Sequence, residues 1–436
     1  MSSTVDRSRG APSPEAASAS PPPQRLGIVG ALREKLLGRR AESVHSVADL
    51  APPASAAAEP APVDEPRAAV DERLAEVDEV CAHGGPYSLS GEQSAPHDEG
   101  EIARAFWNEK HAYDVENQAR EKAALDPVDY TRHGFLYNHS VSRPLTGDCA
   151  KYWLDEIGKR HLVPRPERML ALGCVPAFIE EQILERDLAG TIVAYETSEV
   201  AVASARERLA KTPWSDRIEI RCGDALAAGL PDASFDAVFV EAALHHFVEL
   251  EQMFCLMHRV LRPGGLLLYD EYVGPDLQQY PPELEALLGR VNACLAPQLR
   301  RDFDSGEVRT SVTACPIEVQ LQRDPTEGVH AAEILPLTWR FFDVVERYDY
   351  GGTIMRPLFN RILLNWDFEN DPKDRSIAQL IVLLEQELLR AGAIPTHNTV
   401  VVARRRAEPR PPLSAAERAR IGYADWTAPG SGTARS

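Results

Sequence analysis

Residues 168–180, RMLALGCVPAFIE, join a short apolar run, a glycine and the beginning of an amphipathic segment. An apolar run that ends at Gly173 is typical of a buried strand, and the AFIEEQILERDL that follows has helical spacing. A strand that breaks at a glycine and continues into a helix is how nucleotide-binding α/β domains begin. The stretch therefore predicts an α/β fold with a ligand site at this turn.

The alternation of strands and helices continues as far as residue 273. Predicted strands are TIVAYE, RIEIRC, FDAVFVE and GLLLYDEYV; predicted helices are LEQMFCLMHRVL and SEVAVASARERLAK, the latter with Ser198 as its N-cap. Strands that alternate with helices through short loops imply right-handed crossovers and a parallel sheet covered on both faces. The predicted fold class is a doubly wound α/β domain, which binds ligands beyond the carboxyl ends of its strands.

Three predicted strands end in residues that suit a nucleoside. Gly173 lets the backbone approach a ligand closely. Glu196, followed by Thr197, comes about 20 residues later, where a carboxylate accepts hydrogen bonds from ribose hydroxyls. Asp224 is placed to accept from an adenine amine, and the amide of Ala225 is available to a ring nitrogen. This order of residues predicts a nucleoside site.

The next two strand ends supply candidates for chemistry and for acceptor binding. They carry Glu241, His245 and His246 after the fourth strand, and Asp270, Glu271 and Tyr272 after the fifth. Histidine titrates near neutral pH, so either imidazole is a candidate base; the alternative is that one packs under the loop and the other caps a helix. The two acids and the tyrosine are candidates for holding an acceptor hydroxyl, with solvated or backbone-bonded carboxylates as the alternative.

The series MLALGC…IVAYETS…IRCGDA…FDAVFVEAALHH…LEQMFCLMHRVLRPGGLLLYDEY resembles the class I S-adenosylmethionine-dependent methyltransferases over residues 165–275. The resemblance implies a seven-stranded Rossmann-like sheet whose last strands, RFFDVVERYDY and NTVVVARRR, form an antiparallel edge. It implies S-adenosyl-L-methionine as cofactor, bound by Gly173, Cys174, Glu196, Thr197, Asp224, Ala225 and Glu241. A fainter likeness, in DEYVGP, is to bacterial enzymes of this class that act alongside glycan-building enzymes.

The first loop departs from the family pattern Gly-Cys-Gly-x-Gly, because Val175 and Ala177 replace its last two glycines. A dinucleotide is the competing ligand, but the loop lacks the GxGxxG that a pyrophosphate requires, whereas a cationic sulfonium favours carboxylates. We expect a working cofactor loop that is narrowed by two Cβ groups. Restoring both glycines is expected to tighten cofactor binding and to lower the stability of the ligand-free protein.

Composition divides the 436 residues into four parts. Residues 1–100 and 407–436 are polar and rich in Ala or Pro, and we predict mostly disordered tails. Residues 101–164 are predicted to form a helical cover, and 165–406 the methyltransferase domain with a helical insertion at about 275–335. Residues 25–40 have a basic amphipathic pattern, which predicts either contact with an anionic membrane or a partner, or only a transient helix.

The net charge of −19 and the pI of about 5.1 disfavour nucleic acid as a partner. Seven widely spaced cysteines without a CxxC pair predict neither a disulfide framework nor a metal site. No apolar run approaches the ~20 residues that span a bilayer, so a cytoplasmic protein is expected. The expected activity is O-methylation of a small-molecule or saccharide acceptor; the alternative is a non-catalytic cofactor-binding or scaffolding protein.

Overall fold

The computed structural model describes Trp107, residues 129–173 and 177–412, and Ser414. Of the second predicted tail, residues 407–412 and Ser414 are described, and the amide of Arg410 donates to the carbonyl of Arg340 at 2.8 Å. Residues 1–100, with the basic segment at 25–40, lie outside the described residues, as do residues 413 and 415–436 and Cys174, Val175 and Pro176 of the first loop. What the sequence predicts for them stays a prediction.

A seven-stranded sheet forms the centre of the described structure, with strands β1 Arg168–Leu172, β2 Thr191–Glu196, β3 Ile218–Cys222, β4 Phe235–Glu241, β5 Leu261–Tyr272, β6 Phe342–Gly351 and β7 Asn398–Arg405. Their order across the sheet is β3-β2-β1-β4-β5-β7-β6. The first five strands are parallel, and β7 pairs antiparallel with both β5 and β6. The predicted α/β sheet with an antiparallel edge is confirmed.

Eight longer helices are described: α1 Trp153–His161, α2 Phe178–Glu185, α3 Glu199–Leu209, α4 Leu250–Val260, α5 Pro282–Cys294, α6 Ile317–Arg323, α7 Ile334–Phe341 and α8 Pro372–Arg390. Helices α4 and α7 pack on one sheet face, and α1, α2 and α3 pack on the other. A third core joins α5, α8 and the short helix Met355–Phe359. A further helical stretch, 134–146, precedes α1. Helices thus cover both faces of the sheet, as predicted.

Strand β5 shows how the sheet sorts its side chains. Leu267 and Tyr269 point into the core under α4 and α7, whereas Leu268 between them points into the opposite core. Successive strand residues face opposite sides of a sheet. Asp270 therefore belongs to the face of Leu268, and Glu271 to the face of Tyr269.

None of the described helices combines the length and the apolar character that crossing a membrane requires.

Candidate active site

The chain folds so that the ends of β1, β2 and β3 lie side by side. The amide of Gly173 donates to the carbonyl of Tyr195 at 3.0 Å, and that of Gly223 donates to the carbonyl of Glu196 at 2.9 Å. Strand order reverses at β1, which has β2 on one side and β4 on the other. A cavity opens at this edge, which is where doubly wound sheets bind their ligands.

One half of the cavity collects the residues predicted for a nucleoside. It is lined by Gly173, Tyr195, Glu196, Thr197, Gly223, Asp224, Ala225 and Leu226. Five residues of the predicted cofactor set, at positions 173, 196, 197, 224 and 225, thus line one cavity. The sixth described member, Glu241, does not line it, and Cys174 is outside the described residues.

Glu196 and Asp224 are both oriented by backbone amides. The amide of Ser198 donates to Glu196 Oε1 at 2.9 Å, and the amide of Leu226 donates to Asp224 Oδ1 at 2.8 Å. Burial raises the pKa of Glu196. Ser198 accepts from the amide of Ala201, so its predicted role as N-cap of α3 is confirmed. Each carboxylate is held in place through one oxygen.

Gly173 has a conformation and surroundings that only glycine suits. Its φ is +72°, and an added Cβ would lie 2.5 Å from the Cβ of Ala243. Ala177, at the other end of the loop, also has a positive φ, +67°. Alanine at such an angle carries strain of about 1–2 kcal/mol that glycine lacks.

This angle corrects the expected effect of restoring glycine at residue 177. We expect Ala177→Gly to leave the free energy of unfolding unchanged or to raise it slightly. The relieved strain offsets the roughly 0.4–1 kcal/mol that a more flexible unfolded chain costs. Urea denaturation of the ligand-free variant measures this; a loss above about 1 kcal/mol would show that the Ala177 methyl contributes through packing.

The other half of the cavity is lined by Trp107, Ala242, Ala243, His246, Phe247, Val248, Glu249 and Met253. Trp107 lies in the segment predicted as a cover, and its ring meets that of His246 edge to face at 4.9 Å. Of the two predicted histidines, His246 lines the cavity and His245 lies behind it, 5% exposed. This half contains the apolar wall and the imidazole expected beside an acceptor.

Buried polar partners hold both imidazoles. His245 Nδ1 lies 2.6 Å from Glu271 Oε2, and Glu271 Oε1 accepts from the amides of Ala243 and Leu244 at 2.5 and 2.6 Å. His246 Nδ1 lies 3.1 Å from Thr326 Oγ1. Glu271 therefore fixes the loop after β4 to the end of β5.

Two of the residues at this site, Thr326 and Glu327, were missed by the sequence analysis. Glu327 places its carboxylate oxygens 3.9 Å from His245 Nε2 and 3.7 Å from His246 Nε2. Both residues follow α6 in a segment without a recognisable motif. No periodicity or spacing links them to a histidine pair 80 positions earlier.

The residues predicted for the acceptor do not line the cavity. Asp270 accepts from the hydroxyl of Tyr350 at 2.7 Å, and the hydroxyl of Tyr272 donates to the carbonyl of Pro275 at 3.1 Å. Glu271, 1% exposed, holds the loop after β4. Glu271 and Tyr272 are buried and Asp270 is half-buried, and the predicted contact of the three with an acceptor stays a prediction.

Three carboxyls on the opposite face of the sheet form what we call the acidic cluster: Glu180, Glu241 and Asp270. Glu241 and Asp270 are partners across β4 and β5, and Glu180 lies in the first turn of α2. Burial raises the pKa of Glu180 and of Glu241 to about 8, and that of Asp270 to about 7. Glu180 Oε2 is buried and accepts no hydrogen bond from the described residues. Desolvation thus favours the neutral form of all three carboxyls, and a nearby cation would favour the charged form.

The acidic cluster lies next to the first loop. Val240 pairs with Leu172 across β1 and β4, so Glu241 comes directly beside Gly173. Glu180 is in the helix that the same loop enters. A ligand that passes Gly173 would therefore have the nucleoside half of the cavity at one end and the acidic cluster near its other end.

Comparison with known proteins identifies the central segment. Residues 170–269 match the family model described as "Methyltransferase domain". The 24-methylenesterol C-methyltransferase 2 of Oryza sativa subsp. japonica is 29% identical over 147 residues, 33% of this chain and 40% of the relative. The 27-O-demethylrifamycin SV methyltransferase of Amycolatopsis mediterranei (strain S699) is 32% identical over 127 residues, 29% of this chain and 44% of the relative.

The chain spans less than half the length of these two curated relatives. Among solved structures, a putative sarcosine dimethylglycine methyltransferase from Galdieria sulphuraria is similar, with 14% identity and a TM-score of 0.33 over 57% of this chain and 84% of that one.

Proposed function

Because residues 170–269 form a methyltransferase domain of the class I S-adenosylmethionine-dependent type, we propose that the protein binds S-adenosyl-L-methionine and methylates a hydroxyl of a small-molecule or saccharide acceptor. The observation that carries the proposal is the convergence of Gly173, Glu196 and Asp224 on one cavity that also contains His246. The two ends of that cavity suit the two substrates of one transfer reaction.

The charge of the cofactor supports the proposal. S-Adenosylmethionine carries a sulfonium and an ammonium group, and both are stabilised by nearby carboxylates. Glu196 and Asp224 suit the ribose and the adenine, while the acidic cluster beside Gly173 suits the cationic part. A dinucleotide would instead bring its pyrophosphate towards the acidic cluster, which offers an anion no cationic partner.

In the reaction, the acceptor oxygen attacks the methyl carbon in line with the departing sulfur. An O–C bond forms, the C–S bond breaks and S-adenosylhomocysteine leaves. The donor is already activated, so the protein contributes mainly alignment, together with the removal of the hydroxyl proton. His246 lies on the cavity wall, in the half that we propose for the acceptor. We therefore assign the removal of the hydroxyl proton to this part of the site.

Isothermal titration calorimetry with S-adenosylmethionine and S-adenosylhomocysteine tests the binding half of the proposal. Glu196→Ala should weaken binding by about 1–3 kcal/mol, because the ribose hydroxyls lose their acceptor. Glu219→Ala, which removes an exposed carboxylate from the neighbouring strand, is the matched control and should bind normally. If neither compound binds the wild type, the non-catalytic scaffolding alternative replaces this one.

Transfer of a labelled methyl group from the cofactor tests the other half. We expect label in small-molecule or saccharide fractions of a cell extract, in base-stable ether linkages. Label that appears only in nucleic acid would refute the proposed acceptor class. Cofactor binding without any labelled product would favour the alternative, a non-catalytic cofactor-binding protein.

The acidic cluster predicts that cofactor binding releases protons. Near pH 7 the carboxyls of Glu180 and Glu241 are mainly protonated, because burial raises their pKa values to about 8. A bound cation lowers these pKa values, so part of a proton, up to about one, should leave per cofactor bound. Titrations at pH 7 in phosphate and in Tris buffer measure the release, since their ionisation enthalpies differ.

S-Adenosylhomocysteine lacks the sulfonium charge and should release fewer protons, and Glu241→Gln should reduce the release further. Equal heats in both buffers would show that no cation reaches the cluster. The same carboxyls also make the stability of the ligand-free protein depend on pH. Their pKa values are raised on folding, so their stabilising contribution is complete below their ordinary pKa and is lost as the pH rises towards about 8.

A further inference from the structure

Three potential metal ligands converge where the acceptor half of the cavity meets the loop after β4. They are His245, His246 and Glu327, and one ligand atom from each lies within 4.8 Å of the others. His246 lines the cavity, and His245 is 5% exposed behind it. The three residues come from two separate parts of the chain, and the fold alone brings them together.

Hydrogen bonds set the tautomer of His246. The hydroxyl of Thr326 donates to Asp324 Oδ1 at 2.8 Å, so its oxygen is left to accept from His246 Nδ1 at 3.1 Å. A neutral imidazole has only one N–H. The lone pair of His246 is therefore on Nε2, the nitrogen that faces Glu327.

The same reasoning applies to His245. The carboxylate of Glu271 already accepts two backbone N–H groups, and its other oxygen accepts from His245 Nδ1 at 2.6 Å. Nε2 is therefore the ring nitrogen of His245 that faces Glu327, 3.9 Å from Oε1. Glu327 Oε2 lies 3.7 Å from His246 Nε2.

The two imidazoles and the carboxylate face a common space. The distances of 3.7 and 3.9 Å from the Glu327 oxygens to the two Nε2 atoms are too long for hydrogen bonds and leave room for an ion between the three groups. Gln278 and Arg356 both donate to Glu327 Oε1, Arg356 at 3.2 Å, and so orient the carboxylate.

We propose that His245, His246 and Glu327 bind one divalent transition-metal ion, with Zn²⁺ as the best fit. Two imidazoles and one carboxylate, with a fourth position open, are the donor set of catalytic zinc sites. In a tetrahedral site with metal–ligand distances of about 2.0–2.1 Å, the ligand atoms are roughly 3.3 Å apart. The three ligand atoms lie within 4.8 Å of one another, so the site needs a contraction of up to about 1.5 Å.

The residues behind the ligands support the same assignment. Metal-binding histidines donate their second ring N–H to a carboxylate or another oxygen, which fixes the ring and raises its basicity. Glu271 does this for His245, and Thr326 does it for His246. Sequence analysis found no metal site because Glu327 belongs to no ligand-spacing motif with the His-His pair.

The role of the metal rests on the proposed function. Its open position would face the cavity, where it binds the acceptor oxygen and lowers the pKa of the hydroxyl. The hydroxyl proton leaves to solvent, and the resulting oxyanion attacks the methyl group of S-adenosylmethionine. In this arrangement His246 acts as a ligand and the metal replaces a free imidazole base.

Metal binding to the full chain, without cofactor, tests the inference. After treatment with a chelator, the protein is titrated with Zn²⁺ alone by calorimetry and with Co²⁺ alone by visible absorption. One equivalent should bind, and His246→Ala and Glu327→Gln should each weaken binding by at least about tenfold. His139→Ala is the control, because His139 belongs to a different His–Cys pair, with Cys149 at 3.5 Å.

Equal zinc affinity in wild type and His246→Ala, or loss of binding in His139→Ala alone, would overturn the proposal. Should Glu327→Gln fold poorly, thermal unfolding supplies a second measure: zinc should raise the Tm of wild type and of His139→Ala but not of His246→Ala. A failure here is distinct from failure of the proposed function, since cofactor binding is measured without metal and metal binding without cofactor.

Discussion

Replacing His246 by alanine is expected to lower kcat for methyl transfer by about 10²- to 10⁴-fold. The imidazole lines the half of the cavity that we propose for the acceptor, and in either proposed role, base or metal ligand, it would serve deprotonation of the acceptor. Its contacts with the described residues include Thr326 and Trp107, not Glu196 or Asp224, the carboxylates that we propose for the nucleoside. The affinity for S-adenosylmethionine should therefore stay close to that of the wild type.

Steady-state kinetics with the acceptor found by labelling, together with calorimetry of the cofactor, separates these effects. His139→Ala, a histidine variant outside the cavity, should keep the wild-type kcat. A His246→Ala protein that loses cofactor affinity as strongly as activity would place the imidazole in the cofactor site. A variant with unchanged kcat would remove His246 from the reaction.

The fold could be predicted because local sequence patterns identify the strands of its sheet. Buried parallel strands appear as apolar runs, and the N-cap Ser198 and the acidic strand ends Glu196 and Asp224 stand at positions that the βα alternation determines. Five of the seven residues predicted for the cofactor line one cavity for the same reason. Strand ends in a parallel sheet are neighbours in space, whatever their separation in sequence.

The rest of the site depends on contacts that no local pattern encodes. Glu327 and Thr326 reach the histidines from the insertion after β5, and Trp107 reaches them from the segment before the sheet. Loops of this kind are placed by packing, so the sequence predicts a cover without saying which side chain enters the cavity.

The opposite orientations of Asp270 and Glu271 could have been predicted from the sequence. Both are candidates for the acceptor because they follow the fifth strand, yet adjacent strand residues face opposite sides of a sheet. Asp270 meets Tyr350 on one face, while Glu271 meets His245 on the other. Because of this two-residue period, Asp270 belongs to the acidic cluster, whereas Glu271 supports the loop after β4 that carries the histidines.

Gly173→Ala is expected to destabilise the protein by about 2–5 kcal/mol and to abolish measurable cofactor binding. A φ of +72° contributes about 1–2 kcal/mol of strain for alanine, and a new Cβ 2.5 Å from the Cβ of Ala243 adds about 1–3 kcal/mol of overpacking. Ala243 cannot simply move away, because its amide is bonded to Glu271 Oε1 at 2.5 Å. The methyl group would also narrow the first turn, where the cofactor approaches the backbone.

The double variant Gly173→Ala/Ala243→Gly distinguishes the two causes. Removing the Ala243 methyl relieves the clash and keeps the unfavourable φ, so the double variant should recover about 1–3 kcal/mol relative to Gly173→Ala, once the effect of Ala243→Gly alone is subtracted. Urea denaturation gives the three free energies, and calorimetry shows how much cofactor binding returns. If the double variant is no more stable than Gly173→Ala after this subtraction, backbone strain is the whole cause. The requirement for glycine at the end of β1 would then come from its φ and not from its contact with the loop after β4.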